Sequence, residues 1–203
     1  MPRSTMMSRL LLAAALALSS SGGVVAAATP ASAATASAVV ATAKHEVGTP
    51  EGSAEADSYG AAVNLHQSTR TYAWCAAFVS WVMERTGATG YRSASVGDWV
   101  ATAAADDYGL SVTDTPRPGD LVAFDWDGNG DFAYPNRHIG VVKSSLRNGS
   151  FTTIEGNTEL PSGGDGVAKR LRSTDDGYST LFIRIDVGSS AARPTVVNSD
   201  PTR

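Results

Sequence analysis

Trp74-Cys75-Ala76-Ala77-Phe78-Val79-Ser80-Trp81 holds the only cysteine of the chain, at the head of an apolar run. Apolar residues recur at helical spacing from Cys75 to Thr86, with Cys75, Phe78, Val79 and Val82 at i, i+3, i+4 and i+7, so they share one stripe. Gly87 follows, where a left-handed cap costs least. Trp81 and Met83 add apolar area off that stripe, which predicts a helix buried on most sides. Cys75 then sits in the first turn, where unpaired backbone N–H groups and the helix dipole favour a thiolate over a thiol. A nucleophilic cysteine needs that setting.

A lone cysteine is ordinarily a small buried hydrophobe, but the N-terminus points to another use. Arg3 and Arg9 precede a nine-residue apolar run, Leu10 to Leu18, and Ala31-Ser32-Ala33 offers Ala-x-Ala cleavage. This pattern reads as a secretory signal peptide over 1–33, and its apolar run is too short to span a membrane. An exported chain with one cysteine has no internal disulfide to make, and a free thiol outside the cell is a liability unless it is used. The expected location is therefore extracellular.

Beyond the leader about 165–170 residues remain, a single-domain size that buries roughly two-thirds of its unfolded surface without disulfide staples. Of 16 Lys and Arg, two fall in the leader, leaving 14 against 20 acidic residues. That balance, with no basic stripe, excludes nucleic acid as a partner. There is no second long apolar segment, so no membrane association is expected after cleavage, and the chain is expected to be a monomer.

Residues 34–38 are low-complexity and read as a flexible start; the folded domain is expected over 39–187. Val39, Val40, Ala43 and Val47 give a helical face ending at Gly48. Thr49 to Gly60, with Glu51, Glu55 and Asp57, reads as a solvated loop. Ser95 is a suitable N-cap for a helix through Val96, Trp99 and Val100 to Ala105. From Asp106 the pattern turns strand-like: Leu110 to Val112, Leu121 to Phe124, Ile139 to Val142, Phe151 to Ile154, Val167 to Leu171 and Leu181 to Val187. Pro118-Gly119 suits the centre of a type II turn. Helices first and antiparallel strands after make an α+β domain with the cysteine helix packed on the sheet. Residues 188–203, rich in Ser, Pro and Asn, read as a disordered tail.

A cysteine nucleophile needs a base in reach and a third group to orient it. His45 and His66 lie in polar surroundings, whereas His138 opens the strand Ile139-Gly140-Val141-Val142 after a long loop, a favoured place for a catalytic side chain. Arg147-Asn148-Gly149-Ser150 has the Asn-Gly centre of a two-residue hairpin. With Arg147 opposite Ser150, Val142 should face Glu155 and Gly140 should face Asn157. Alternation then puts His138 on one face with Glu155 and Asn157, where a carboxylate or amide can fix the imidazole tautomer.

Four ordered motifs carry a family resemblance: Trp74-Cys75-Ala76-x-Phe78-Val79-Ser80-Trp81, Pro118-Gly119-Asp120-Leu121-Val122-x-Phe124, His138-Ile139-Gly140-Val141-Val142 and Ile154-Glu155-Gly156-Asn157. Over roughly 39–187 the chain resembles a CHAP domain, a cysteine, histidine-dependent amidohydrolase/peptidase of the papain-like NlpC superfamily. The resemblance implies a papain-like α+β fold and cleavage of amide bonds in peptidoglycan. The implied nucleophile is Cys75, the base His138, and the orienting group Glu155 with Asn157 nearby. The chain departs from the family in a longer segment between Asp125 and Arg137. It also lacks the glutamine often found just before the cysteine, so the side-chain part of an oxyanion hole is unassigned; the Cys75 N–H is one donor and Tyr72 a candidate for another. Trp99, Trp126 and Tyr134 are candidates to line a cleft, and read equally as core. A wall-binding module that retains the fold without catalysis is the alternative reading.

Asp125-x-Asp127-x-Asn129-Gly130-Asp131 matches the first half of an EF-hand calcium loop, with glycine at the sixth position. The twelfth position is Asn136 in place of the bidentate glutamate. The pattern reads either as a Ca²⁺ site formed by Asp125, Asp127, Asn129 and Asp131 or as a polar turn. No cofactor is needed for the chemistry, and no ligand spacing suggests zinc.

Overall fold

Thr35, Ser53 and Ser95 each precede a helix and accept a backbone N–H from its first turn, at Ala38, Ala56 and Asp98. They open α1 (Ala36–His45), α2 (Ala54–Ser58) and α4 (Val96–Ala104). The cysteine helix, α3 (Cys75–Thr86), differs: its N-cap is Trp74, with no side-chain cap, and it closes on Gly87 at φ 63° as the sequence predicts. The computed structural model describes residues 34–132, 135, 137–187 and 195–197. The expected leader at 1–33 lies outside them, as do Ala133, Tyr134, Asn136 and most of the expected tail.

Three stretches differ from expectation. Residues 36–38, expected within a flexible start, form the first turn of α1 because Thr35 caps it. The acidic segment 49–60, expected as a solvated loop, contains α2 and runs into a 3-10 turn, Tyr59–Val63, of which Tyr59, Ala62 and Val63 join the core. Tyr59 anchors it: its ring meets Phe78 and Trp81 edge-on, and its hydroxyl donates to the buried Glu46 at 2.7 Å. Short Thr195–Val197 (β8), expected as tail, pairs in parallel with β1 (Tyr91–Ser93). Strands of three residues carry too little periodicity to register in sequence.

The main sheet consists of β2 (Leu110–Thr113), β3 (Leu121–Asp125), β4 (Arg137–Arg147), β5 (Ser150–Glu159), β6 (Asp165–Ser173) and β7 (Ser179–Ile185). Their order is β2-β7-β3-β4-β5-β6, with every neighbouring pair antiparallel. β3 is buried along its whole length, as a central strand should be. Its entry is the expected turn, closed by Asp120 N–H to Arg117 C=O at 3.0 Å with Gly119 at φ 96°. The Asp120 carboxylate then takes Arg184 Nε of β7 at 2.9 Å and the Arg117 N–H at 2.8 Å, pinning two neighbouring strands at one end.

Helix α3 packs on β4 and β5. Beneath it Ile139, Val141 and Ile154 join the large core with Phe78, Val79 and Met83. Val122, Phe124, Val142, Phe151 and Phe182 form a second cluster. Alternation along the strands assigns the two sets to opposite faces. The helix approaches β5 so closely that a Cβ on Gly156 would lie 2.6 Å from the Trp74 ring and 2.7 Å from the Phe78 Cβ. We expect Gly156→Ala to lower stability by about 1–3 kcal/mol through overpacking, read as a lower urea midpoint with unchanged slope. An unchanged midpoint would mean the helix yields freely at this contact.

Candidate active site

Because α3 begins without a side-chain cap, its first-turn N–H groups are left for another acceptor. The Cys75 sulfur is one such acceptor, taking the Ala76 N–H and, from β4, the Ile139 N–H. His138, at the start of β4, hydrogen-bonds the same sulfur. Its Nε2 lies 3.0 Å from Glu155 Oε2, which leaves Nδ1 for the thiol. Cys75, His138 and Glu155 are all buried, at 4%, 6% and 0% exposure. The structure therefore brings together the three residues named from sequence as nucleophile, base and orienting acid.

The hairpin reaches this arrangement by another register than expected. Arg147 does pair with Ser150, but irregularities between Val142 and Ser144 and between Ser144 and Arg147 each place one extra residue on β4. Val142 consequently pairs with Thr153 in place of Glu155. The total slip is two residues, and a slip of two preserves the face. Glu155 then extends over Gly140, where a Cβ would lie 2.6 Å from its Cγ, and reaches His138. Asn157 is not drawn in. It lies at an irregularity of the β5–β6 register with φ 57°, and among the described residues no hydrogen bond joins it to His138.

Sequence reasoning missed the residues that hold Glu155. Arg172 on β6 donates from Nε to Oε1 at 2.9 Å and from Nη2 to Oε2, a two-pronged clamp. The Thr153 hydroxyl donates to Oε1 as well. The Arg172 guanidinium also lies over the rings of Phe124 and Trp126, at 5.2 and 5.1 Å. Trp126, 39% exposed, stacks on Phe124 at 4.9 Å and lies 5.8 Å from the His138 ring, tilted by 26°. Only a strand pairing two strands away brings Arg172 here, so no local motif marks it.

Of the other sequence candidates, Trp99 is core: it is fully buried and donates to the Ser93 carbonyl at 3.2 Å. Tyr134 lies outside the described residues. The Tyr72 hydroxyl points toward Gly60, and among the described residues it has no hydrogen-bond partner. Asp57 takes the Thr69 N–H at 2.7 Å and the Thr69 hydroxyl at 2.9 Å, tying α2 to the segment that leads into α3.

Residues 67–157 match the CHAP domain family. The chain carries a CHAP domain. The matched stretch of this CHAP domain contains Cys75, His138 and Glu155 and stops short of Arg172. Among solved structures, a wild-type endolysin, LysIME-EF1, is similar at 19% identity over 77% of this chain and 67% of that one, with a TM-score of 0.48. No curated protein matches the chain.

The electrostatics of the CHAP site follow from burial opposed by partners. Burial works against a charged sulfur, but the hydrogen bond and charge of His138, with the Ile139 and Ala76 N–H groups, hold the Cys75 thiol below its ordinary range. Burial alone would push the imidazole down; Cys75 and Glu155 overcome it and raise His138 to about 9. Burial would likewise raise Glu155, yet Arg172 and then His138 draw it down to about 2. These signs favour charge separation between the Cys75 sulfur and the His138 ring, with the Glu155 carboxylate fixed behind it.

Each shift has a pH window. With His138 raised from 6.5 to about 9, its contribution to stability is complete below pH 6.5 and is lost as pH rises through 9. With Glu155 lowered from 4.5 to about 2, its contribution is complete above pH 4.5 and is lost as pH falls through 2. Glu155→Gln keeps an acceptor and removes the charge, so we expect the His138 ring, followed by NMR, to titrate at least a unit lower than in the wild type. Equal titration midpoints in two folded proteins, as judged by melting curves, would show that the Glu155 charge does not set the imidazole.

Proposed function

We propose that the chain is an exported peptidoglycan hydrolase that cleaves amide bonds by thiol catalysis. The observation that carries this reading is the buried line Cys75–His138–Glu155, with its thiol lowered and its imidazole raised. The CHAP match supports the substrate class, and the leader pattern over 1–33 supports action outside the cell. The bonds that fit are the N-acetylmuramoyl–alanine amide and the peptide bonds of the stem or cross-bridge.

In this mechanism the Cys75 thiolate attacks the amide carbonyl and forms the carbon–sulfur bond as the carbonyl oxygen takes up charge. First-turn N–H groups of α3 face the position where that oxyanion develops. His138 gives its Nδ1 proton to the departing amine, the carbon–nitrogen bond breaks, and an acyl-thioester remains. Water then adds to the thioester while neutral His138 accepts its proton, releasing a carboxylate-bearing fragment and restoring the ion pair. Glu155 keeps its charge throughout and fixes the ring. Trp126 presents an aromatic face beside the base against which substrate can lie.

The test is loss of turbidity and release of amines from purified peptidoglycan, with mass spectrometry of the fragments to identify the bond. Cys75→Ala should abolish both signals, and iodoacetamide should do the same to the wild type. Activity surviving in Cys75→Ala would sink the proposal. Binding to insoluble wall without thiol-sensitive turnover would favour the non-catalytic module instead.

A further inference from the structure

The loop from Asp125 to Asp131 is left unused by the chemistry above, yet it contains a buried acid with an unmet acceptor. Asp125 closes β3 opposite Arg137, next to the base, and is fully buried. Its Oδ2 takes the Gly130 N–H at 2.6 Å, while its Oδ1 has no hydrogen-bond partner. The group within hydrogen-bond reach is another acid, Asp127, and the charge of Asp131 acts on it too. A buried carboxylate facing a second one requires a proton between them or a cation.

We propose that this loop binds one calcium ion, nucleated by the Asp125 and Asp127 carboxylates, with Asn129 and Asp131 as further oxygen donors. The orphaned Asp125 Oδ1 supplies the fixed ligand, and the spacing of oxygen side chains at alternate residues supplies the rest. Among the described residues no three acidic or histidine side chains meet at one point, so Asn129 and Asp131 are drawn in on binding. Their present bonds allow this: Asp127 Oδ1 takes the Asn129 N–H at 3.2 Å and Asn129 Oδ1 takes the Asp131 N–H at 2.9 Å, both exposed. Calcium accepts six to eight oxygens in adaptable geometry, whereas magnesium demands a strict octahedron that two carboxylates on a loop satisfy poorly. Gly128 holds the loop against the β6–β7 turn, where a Cβ would lie 2.9 Å from the Gly177 carbonyl. The bound ion would thus tie the ends of β3 and β4 to that turn beside His138.

The experiment uses melting and calorimetry of the full chain at pH 7.5, so its result is independent of whether the protein cleaves peptidoglycan. Calcium chloride at a hundredfold excess over the dissociation constant should raise the melting temperature by about 5–10 °C relative to EDTA. Magnesium chloride should raise it less, and titration calorimetry should give one calcium per chain. Asp127→Ala, at an exposed position, should fold and lose the shift; Asp125→Asn, which keeps the shape of the buried side chain, should lose it as well. Superimposed curves in EDTA and calcium would overturn the proposal and leave a shared proton between the acids. So would a calcium shift that persists in both variants, since the ion would then bind elsewhere.

Discussion

The site depends on one buried negative charge. Glu155 is without solvent exposure, and a carboxylate so placed survives only if its lone pairs are filled and its charge is matched. Arg172 matches it from β6, Thr153 fills a lone pair from within β5, and His138 takes the remaining direction. Because these partners come from three adjacent strands, the charge exists only when β4, β5 and β6 are paired. Cys75 in turn depends on the imidazolium that Glu155 stabilises. Sheet assembly and the lowering of the Cys75 thiol are thereby linked.

The start of α3 contributes the complementary half. The described α-helices other than α3 spend a first free N–H group on a Thr or Ser cap. At α3 those groups face the sulfur, and the helix itself is held rigidly because Cys75 through Met83 are all buried. A fixed cluster of N–H dipoles in a poorly hydrated setting can hold negative charge on the sulfur without reorganising. Trp74 anchors this end by its ring on Gly156 and by its Nε1–H donated to Glu51 at 3.3 Å.

Most of this was legible in sequence where the signal is periodic or local. The α3 stripe, its Gly87 cap, the Ser95 cap and six strands follow from spacing that backbone geometry enforces. Glu155 was found through face alternation even though the pairing was off by two, because alternation depends only on parity. Arg172 was illegible: its role arises from a neighbour-strand contact that no short motif encodes. Tyr59 was hidden because its surroundings are acidic, and burial there comes from a 3-10 turn too short to show a stripe. Trp99 illustrates the converse, an aromatic offered for the cleft that the N-cap at Ser95 turns into the core.

The two irregularities of β4 bear on how such a hairpin can vary in length. Each alone would invert the side chains beyond it and carry Glu155 away from His138; together they cancel. The hairpin tip therefore behaves as a counter that reads only odd or even. A tip longer or shorter by two residues would leave the positions of His138 and Glu155 still facing one another. A change of one must be accompanied by a compensating bulge between the tip and Val142. Comparing tip length with bulge number across relatives would then recover the face of the acid without any coordinates.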